Sequence, residues 1–77
     1  MTARVAAIVP AKDEADLVAA TVTALLTLGR VSLVVVVDDG STDQTAAVAA
    51  AAGAIVVRHP VNRGKAAALE TGVARLT

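Results

Sequence analysis

Leu33-Val34-Val35-Val36-Val37-Asp38-Asp39-Gly40-Ser41-Thr42-Asp43 joins an unbroken aliphatic run to an acidic, glycine-containing segment. A strand with one wet face alternates apolar and polar residues. A run that is apolar throughout fits a parallel strand covered by helices on both faces. The strand is expected over Val31–Val37, with Asp38 to Asp43 as the turn that follows it.

The segments on either side agree. Val5–Val9 is short, apolar and partly β-branched, and Pro10 ends it, so it reads as another buried strand. Asp13 or Glu14 can open a helix, with acidic charge near the positive end of its dipole. Leu17, Val18, Val22, Leu25 and Leu28 recur at helical spacing, and Gly29 supplies the stop. Leu17, Val22, Leu25 and Leu28 are expected in the core. Ser41 or Thr42 is expected to cap the alanine-rich helix that ends at Gly53. Residues 54–58 read as a third strand, His59 to Gly64 as a loop, and Lys65 to about Leu76 as a third helix.

The order is β-α-β-α-β-α with short connections. Such alternation implies parallel strands joined by right-handed crossovers. The fold class is therefore α/β, a Rossmann-like three-layer half-domain, with residues 1–77 forming a single unit.

Composition narrows the function classes. The chain has no Phe, Trp or Tyr, so its core must be built from small and β-branched side chains. Seven basic residues balance seven acidic ones, which gives no basic stripe for a nucleic acid backbone. The absence of cysteine excludes disulfides and thiolate zinc sites and mildly favours a cytoplasmic setting. The opening Met1 to Pro10 is too short an apolar stretch for a secretory leader and runs straight into Lys12, Asp13 and Glu14. No run reaches the roughly 18 apolar residues of a transmembrane segment.

In open α/β sheets ligands bind beyond the carboxyl ends of the strands. The polar residues of this chain collect there: Pro10-Ala11-Lys12-Asp13-Glu14, Asp38-Asp39-Gly40-Ser41 and Asn62-Arg63-Gly64-Lys65. Two adjacent carboxylates at a strand end are costly to hold together without hydrogen bonds, cations or solvent. Asp38 and Asp39 could accept a base N–H or a ribose hydroxyl; they read equally as an acidic turn bonded to nearby backbone. Gly64-Lys65 at a helix start suits an anion, because glycine lets a phosphate approach free backbone N–H groups. It also suits a solvated lysine. Arg63 could assist such an anion or point into solvent. His59, before Pro60, reads as a surface histidine rather than a catalytic one. Neither the P-loop pattern nor GxGxxG is present.

Together the three clusters resemble the start of a family 2 glycosyltransferase of the GT-A fold. Val9-Pro10-Ala11-Lys12-Asp13-Glu14 is similar to the family's opening block. Val35-Val36-Val37-Asp38-Asp39-Gly40-Ser41-Thr42-Asp43-Gln44-Thr45 is similar to its V-V-D-D-G-S-x-D-x-T block, and Asn62-Arg63-Gly64-Lys65-Ala66-Ala67-Ala68-Leu69 to its N-x-G-K-x-x-A-L block. The nearest subgroups are polyprenyl-phosphate sugar synthases and glucosyl-3-phosphoglycerate synthases. The resemblance implies that Pro10, Ala11, Lys12 and Glu14 line a nucleoside pocket. It implies further that Val37 and Asp39 meet the base, and that Gly64 and Lys65 lie near a diphosphate. Lys12 departs from the tyrosine common at its position, which removes an aromatic contact.

The same resemblance implies a UDP- or GDP-sugar donor, inversion at the sugar carbon, and Mg2+ or Mn2+ on the diphosphate. The metal-binding Asp-x-Asp, the catalytic base and the acceptor site would all follow a further strand beyond Thr77. The chain is then expected to be the nucleotide-binding part of a longer enzyme, inactive alone and membrane-associated at most through other segments. Its first strand would form an exposed apolar edge that favours self-association. Two competing readings are a receiver-like signalling module and a sugar nucleotidyltransferase fragment. A receiver would carry its acidic pair after strand one, and a nucleotidyltransferase a glycine-rich loop with arginine there.

Overall fold

Three strands hydrogen-bond in the order β1-β2-β3, all parallel: β1 Val5–Ala11, β2 Val31–Asp39 and β3 Ile55–His59. The computed structural model describes residues 5–77. The leader reading of the opening segment falls partly on residues 1–4, outside that range. Helices α1 Ala15–Thr27, α2 Thr45–Ala51 and α3 Lys65–Leu76 alternate with the strands. The expected β-α-β-α-β-α order is observed.

The apolar β2 run is buried on both faces, and strand alternation sorts its side chains. Val34 and Val36 face α1 and α2, packing with Val18, Val22, Ala49 and Ala11. Val35 and Val37 face α3 and pack with Ala68, Ile8, Ile55 and Val57. Four fully buried valines thus act as the middle layer of the domain. Small residues keep the layers close. Gly72 of α3 lies directly over Ile8, in a space that an added methyl would have to share with the isoleucine side chain.

The strands run further than expected. β1 continues through Pro10 to Ala11, which an edge strand tolerates because one side of it needs no ladder bonds. β2 carries Asp38 and Asp39 within the ladder, paired with Arg58 and His59 of β3. The strands therefore deliver these residues to the rim directly.

Two expected core residues are not in the core. Leu17 and Leu28 are 65% and 66% exposed. Helical geometry explains it: Val18, Val22 and Leu25 form the stripe that meets the sheet, whereas Leu17, Thr21, Ala24 and Leu28 form the neighbouring exposed stripe. Both stripes have helical spacing, so periodicity alone does not choose between them.

Candidate functional site

Asp38 and Asp39 are adjacent in sequence, but strand alternation sends them to opposite faces of the sheet. That removes most of the repulsion that their adjacency suggested. Asp38 is fully buried on the α1–α2 side. Its Oδ1 accepts the Ser41 N–H at 3.0 Å, and its Oδ2 lies 3.2 Å from Arg58 Nε in an ion pair across the β2–β3 register. The geometry of that pair falls short of a hydrogen bond, so Oδ2 is left without one.

Asp39 points to the α3 side and organises the third loop. Its Oδ1 accepts the Arg63 N–H at 2.8 Å, and its Oδ2 accepts the Gly64 N–H at 2.9 Å. His59 Nδ1 sits 2.8 Å from the same Oδ1. His59 is therefore not a surface residue; it is 4% exposed and ends β3 in register with Asp39. A visible signal existed for it. His59 lies two positions after Val57, so strand alternation points both to the α3 face.

The first two loops are stitched together by side chains. The Asp13 N–H donates to Ser41 Oγ at 2.8 Å, and Asp13 Oδ1 accepts the Thr42 N–H at 2.7 Å. Asp13 holds a φ of 51°, an αL conformation that aspartate tolerates better than most residues. At the start of α1 the Glu14 N–H donates to Thr45 Oγ1 and the Ala15 N–H to Asp43 Oδ2. Asp43 also accepts the Thr45 N–H and the Thr45 hydroxyl. Ser41 and Thr42 therefore do not cap α2, which has no side-chain cap at Gln44; their hydrogen bonds go to the Asp13 loop.

These contacts shape a cleft of about 220 Å³ lined by Pro10, Ala11, Lys12, Glu14, Asp39, Asn62, Gly64 and Lys65. Every residue expected in the pocket lines it except Val37, whose side chain is fully buried under α3. Asn62 is the additional member. The cleft is smaller than the roughly 300–1,000 Å³ of a complete small-molecule site, as suits one wall of such a site. Lys12 and Lys65 are exposed cations at its rim, and Arg63 is exposed outside it. Gly64, at φ 93° and ψ 163°, holds a conformation open in practice only to glycine as it leads the chain into α3.

Hydrogen bonds to the ionised forms hold the Asp39 and Asp43 carboxyls below their usual 3.8. His59 and then the Arg63 amide are the main causes for Asp39, and Thr45 for Asp43, against opposing desolvation. Because both pKa values are depressed, the hold on the loops is complete above 3.8 and is lost as pH falls through the lower folded values. Protection of the Arg63 and Gly64 amides from exchange, relative to the intrinsic rate at each pH, is expected to stay constant from neutrality to about pH 4 and to fall below it. Loss of protection that begins above pH 5 would contradict this assignment.

The carboxylates present do not fit a divalent cation. Asp39 spends both oxygens on the protein, Asp38 is buried on the opposite face, and Glu14 stands alone as the remaining acid of the cleft. Among the described residues no three His, Cys, Asp or Glu side chains cluster to hold a metal. No helix of the described residues is long and apolar enough to cross a membrane.

Residues 6–77 match the family model described as glycosyl transferase family 2. An uncharacterized protein of Methanocaldococcus jannaschii is 42% identical over 66 residues, covering 86% of this chain and 27% of that protein. The succinoglycan biosynthesis protein ExoU of Rhizobium meliloti is 45% identical over 72 residues, covering 87% of this chain and 21% of that one. Glucosyl-3-phosphoglycerate synthase of Mycobacterium tuberculosis, solved with Mn2+, UDP and glucosyl-3-phosphoglycerate, superimposes with a TM-score of 0.80 at 31% identity. That match covers 94% of this chain and 29% of the synthase. The chain thus spans between 21% and 29% of the length of these relatives.

Proposed function

Because the chain belongs to glycosyl transferase family 2, we propose that its rim cleft is the nucleoside-diphosphate half of a donor site. The enzyme it serves moves a sugar from a UDP- or GDP-sugar to an acceptor, with inversion at the sugar carbon. The observation that carries this reading is the cleft itself. Pro10, Ala11, Lys12, Glu14, Asp39, Gly64 and Lys65 come from three separate strand ends and meet around one space. Membership of the family leaves the receiver-like and nucleotidyltransferase readings without support.

Each group has a definite task in this reading. Pro10 and Ala11 give the base an apolar wall, and Glu14 accepts from base or ribose donors. Asp39 holds the 62–64 loop in place beside the base. Val37 contributes only backbone, since its side chain is buried. Gly64 lets the diphosphate approach the start of α3, where Lys65 and Lys12 balance its charge. The Mg2+ or Mn2+ of the reaction takes its ligands from other segments, as do the catalytic base and the acceptor. A nucleotide-sugar donor fits a cytoplasmic setting. The β1 edge, apolar and paired on one side only, favours self-association unless another segment covers it.

Calorimetric titration of the chain with UDP, GDP and their sugar esters, with and without Mn2+, tests the reading. Saturable binding of one nucleotide in the millimolar range or tighter is expected, at about −4 kcal/mol or better. Little dependence on Mn2+ is expected, because this chain does not supply the metal's ligands. A folded sample that binds none of them at millimolar concentration contradicts the proposal.

A further inference from the structure

His59 is buried and does not itself line the cleft, yet it bonds at both ring nitrogens. Nδ1 is 2.8 Å from Asp39 Oδ1, and Nε2 is 2.7 Å from Thr71 Oγ1 on α3. An ionised carboxylate only accepts, so Nδ1 carries the hydrogen; in the neutral ring Nε2 accepts from the Thr71 hydroxyl. Asp39 in turn holds the Arg63 and Gly64 amides at the start of α3. Helix α3 is thereby fixed at two points, Gly64 through Asp39 and Thr71 through His59, nearly two helical turns apart. Lys65 lies between them.

We propose that His59 and Thr71 are positioning residues that seat the N-terminal turn of α3 against a nucleotide diphosphate. This rests on the donor-site reading above. Three features make the bridge more than packing. The Asp39–His59 pairing is set by strand register, because the two residues lie opposite each other in the β2–β3 ladder. The imidazole spans from sheet to helix, so a shift of α3 along its axis breaks the Thr71 bond. The buried residues of α3 are Ala68 and Gly72, neither of which has a polar side chain to bond the sheet. The His59–Thr71 hydrogen bond adds a directional contact to the apolar seating of Gly72 over Ile8.

The test separates diphosphate from base. UDP with uridine, and GDP with guanosine, are titrated in parallel into the wild-type, Thr71→Val, Thr71→Ser and His59→Asn chains. Thr71→Val keeps the shape and removes the hydroxyl. It is expected to weaken the bound diphosphate about fivefold, the scale of one lost hydrogen bond, while the nucleoside changes less than about twofold. Thr71→Ser restores the wild-type ratio. His59→Asn keeps a donor for Asp39 but does not reach Thr71, so it reproduces the Thr71→Val effect, and the double variant is no weaker than the worse single one.

A Thr71→Val chain with unchanged affinities, or one that loses nucleoside and diphosphate equally, overturns the positioning role and leaves the donor site standing. A wild-type chain that binds neither diphosphate overturns the donor site and this proposal with it. Nitrogen-15 shifts of the His59 ring in the wild-type chain give a check that needs no variant. Hydrogen on Nδ1 is expected, and a bare Nδ1 lone pair overturns the bridge.

Discussion

Gly40→Ala is expected to lower the thermal midpoint by more than about 10 °C. Two independent terms act at that position. Gly40 has a φ of 78°, where an L side chain costs about 1–2 kcal/mol. An added Cβ would also lie 2.5 Å from the Asn62 backbone nitrogen and 2.8 Å from the Val61 carbonyl carbon. Those are main-chain atoms and cannot swing aside as a side-chain tip can, so relief requires moving the third loop, at a further cost of about 1–3 kcal/mol. A domain of this size has only about 4–12 kcal/mol in total. Since the third loop carries Asn62 and Gly64 into the cleft, nucleotide affinity should fall with stability. Thermal unfolding followed by circular dichroism measures the first effect. A midpoint within 2 °C of wild type would mean that the close approach of residues 40 and 62 is absent in solution.

Asp39→Ala is expected to have the largest effect on binding. The substitution removes the shared acceptor of the Arg63 and Gly64 amides and His59 Nδ1; of these, the Gly64 amide keeps a second acceptor, Asn62 Oδ1 at 3.0 Å. Buried donors stripped of their partner are penalised more than the mean hydrogen bond contributes, so the 62–64 loop should open rather than stay in place. Nucleotide affinity should fall by about tenfold or more, because the loop sets both Gly64 and Lys65. Asp39→Asn is the informative companion. The amide keeps the volume but offers one acceptor oxygen, so it should hold either the Arg63 or the Gly64 amide and fall between wild type and alanine. Titration calorimetry of the three chains reads the affinity, and amide exchange at residues 63 and 64 reads the loop. An Asp39→Ala chain that keeps both contradicts the role given to this carboxylate.

Most of the architecture was legible because it depends on local pattern. The Leu33–Val37 run lacks polar alternation since both of its faces are covered, and the helices between strands carry helical spacing. What local pattern does not contain is which of two stripes meets the sheet. Leu17 and Leu28 read as core for that reason, although Val18, Val22 and Leu25 fill it. Composition likewise brought the cleft residues together as strand-end clusters, without showing what holds them. The bonds of Ser41, Thr42 and Asp43 to the Asp13–Ala15 segment join residues about 30 positions apart; the sequence around each residue offers a nearer partner, the α2 start, which only Asp43 also uses. His59 was hidden by its neighbours. A histidine before Pro60 looks like loop, which masks its alternation with Val57; the β2–β3 register, with Asp39 opposite, shows that it turns inward.

The central claim is that the three strand-end clusters form one nucleotide site. Chemical-shift mapping on the nitrogen-15-labelled chain during titration with UDP and with GDP tests it most directly. The account predicts saturable shifts for one of the two, concentrated at the amides of Ala11, Lys12, Glu14, Asp39, Asn62, Gly64 and Lys65, with the outer stripe of α1 at Leu17 and Leu28 unmoved. Shifts centred away from these residues, or no saturable shifts from either nucleotide at millimolar concentration, would contradict it.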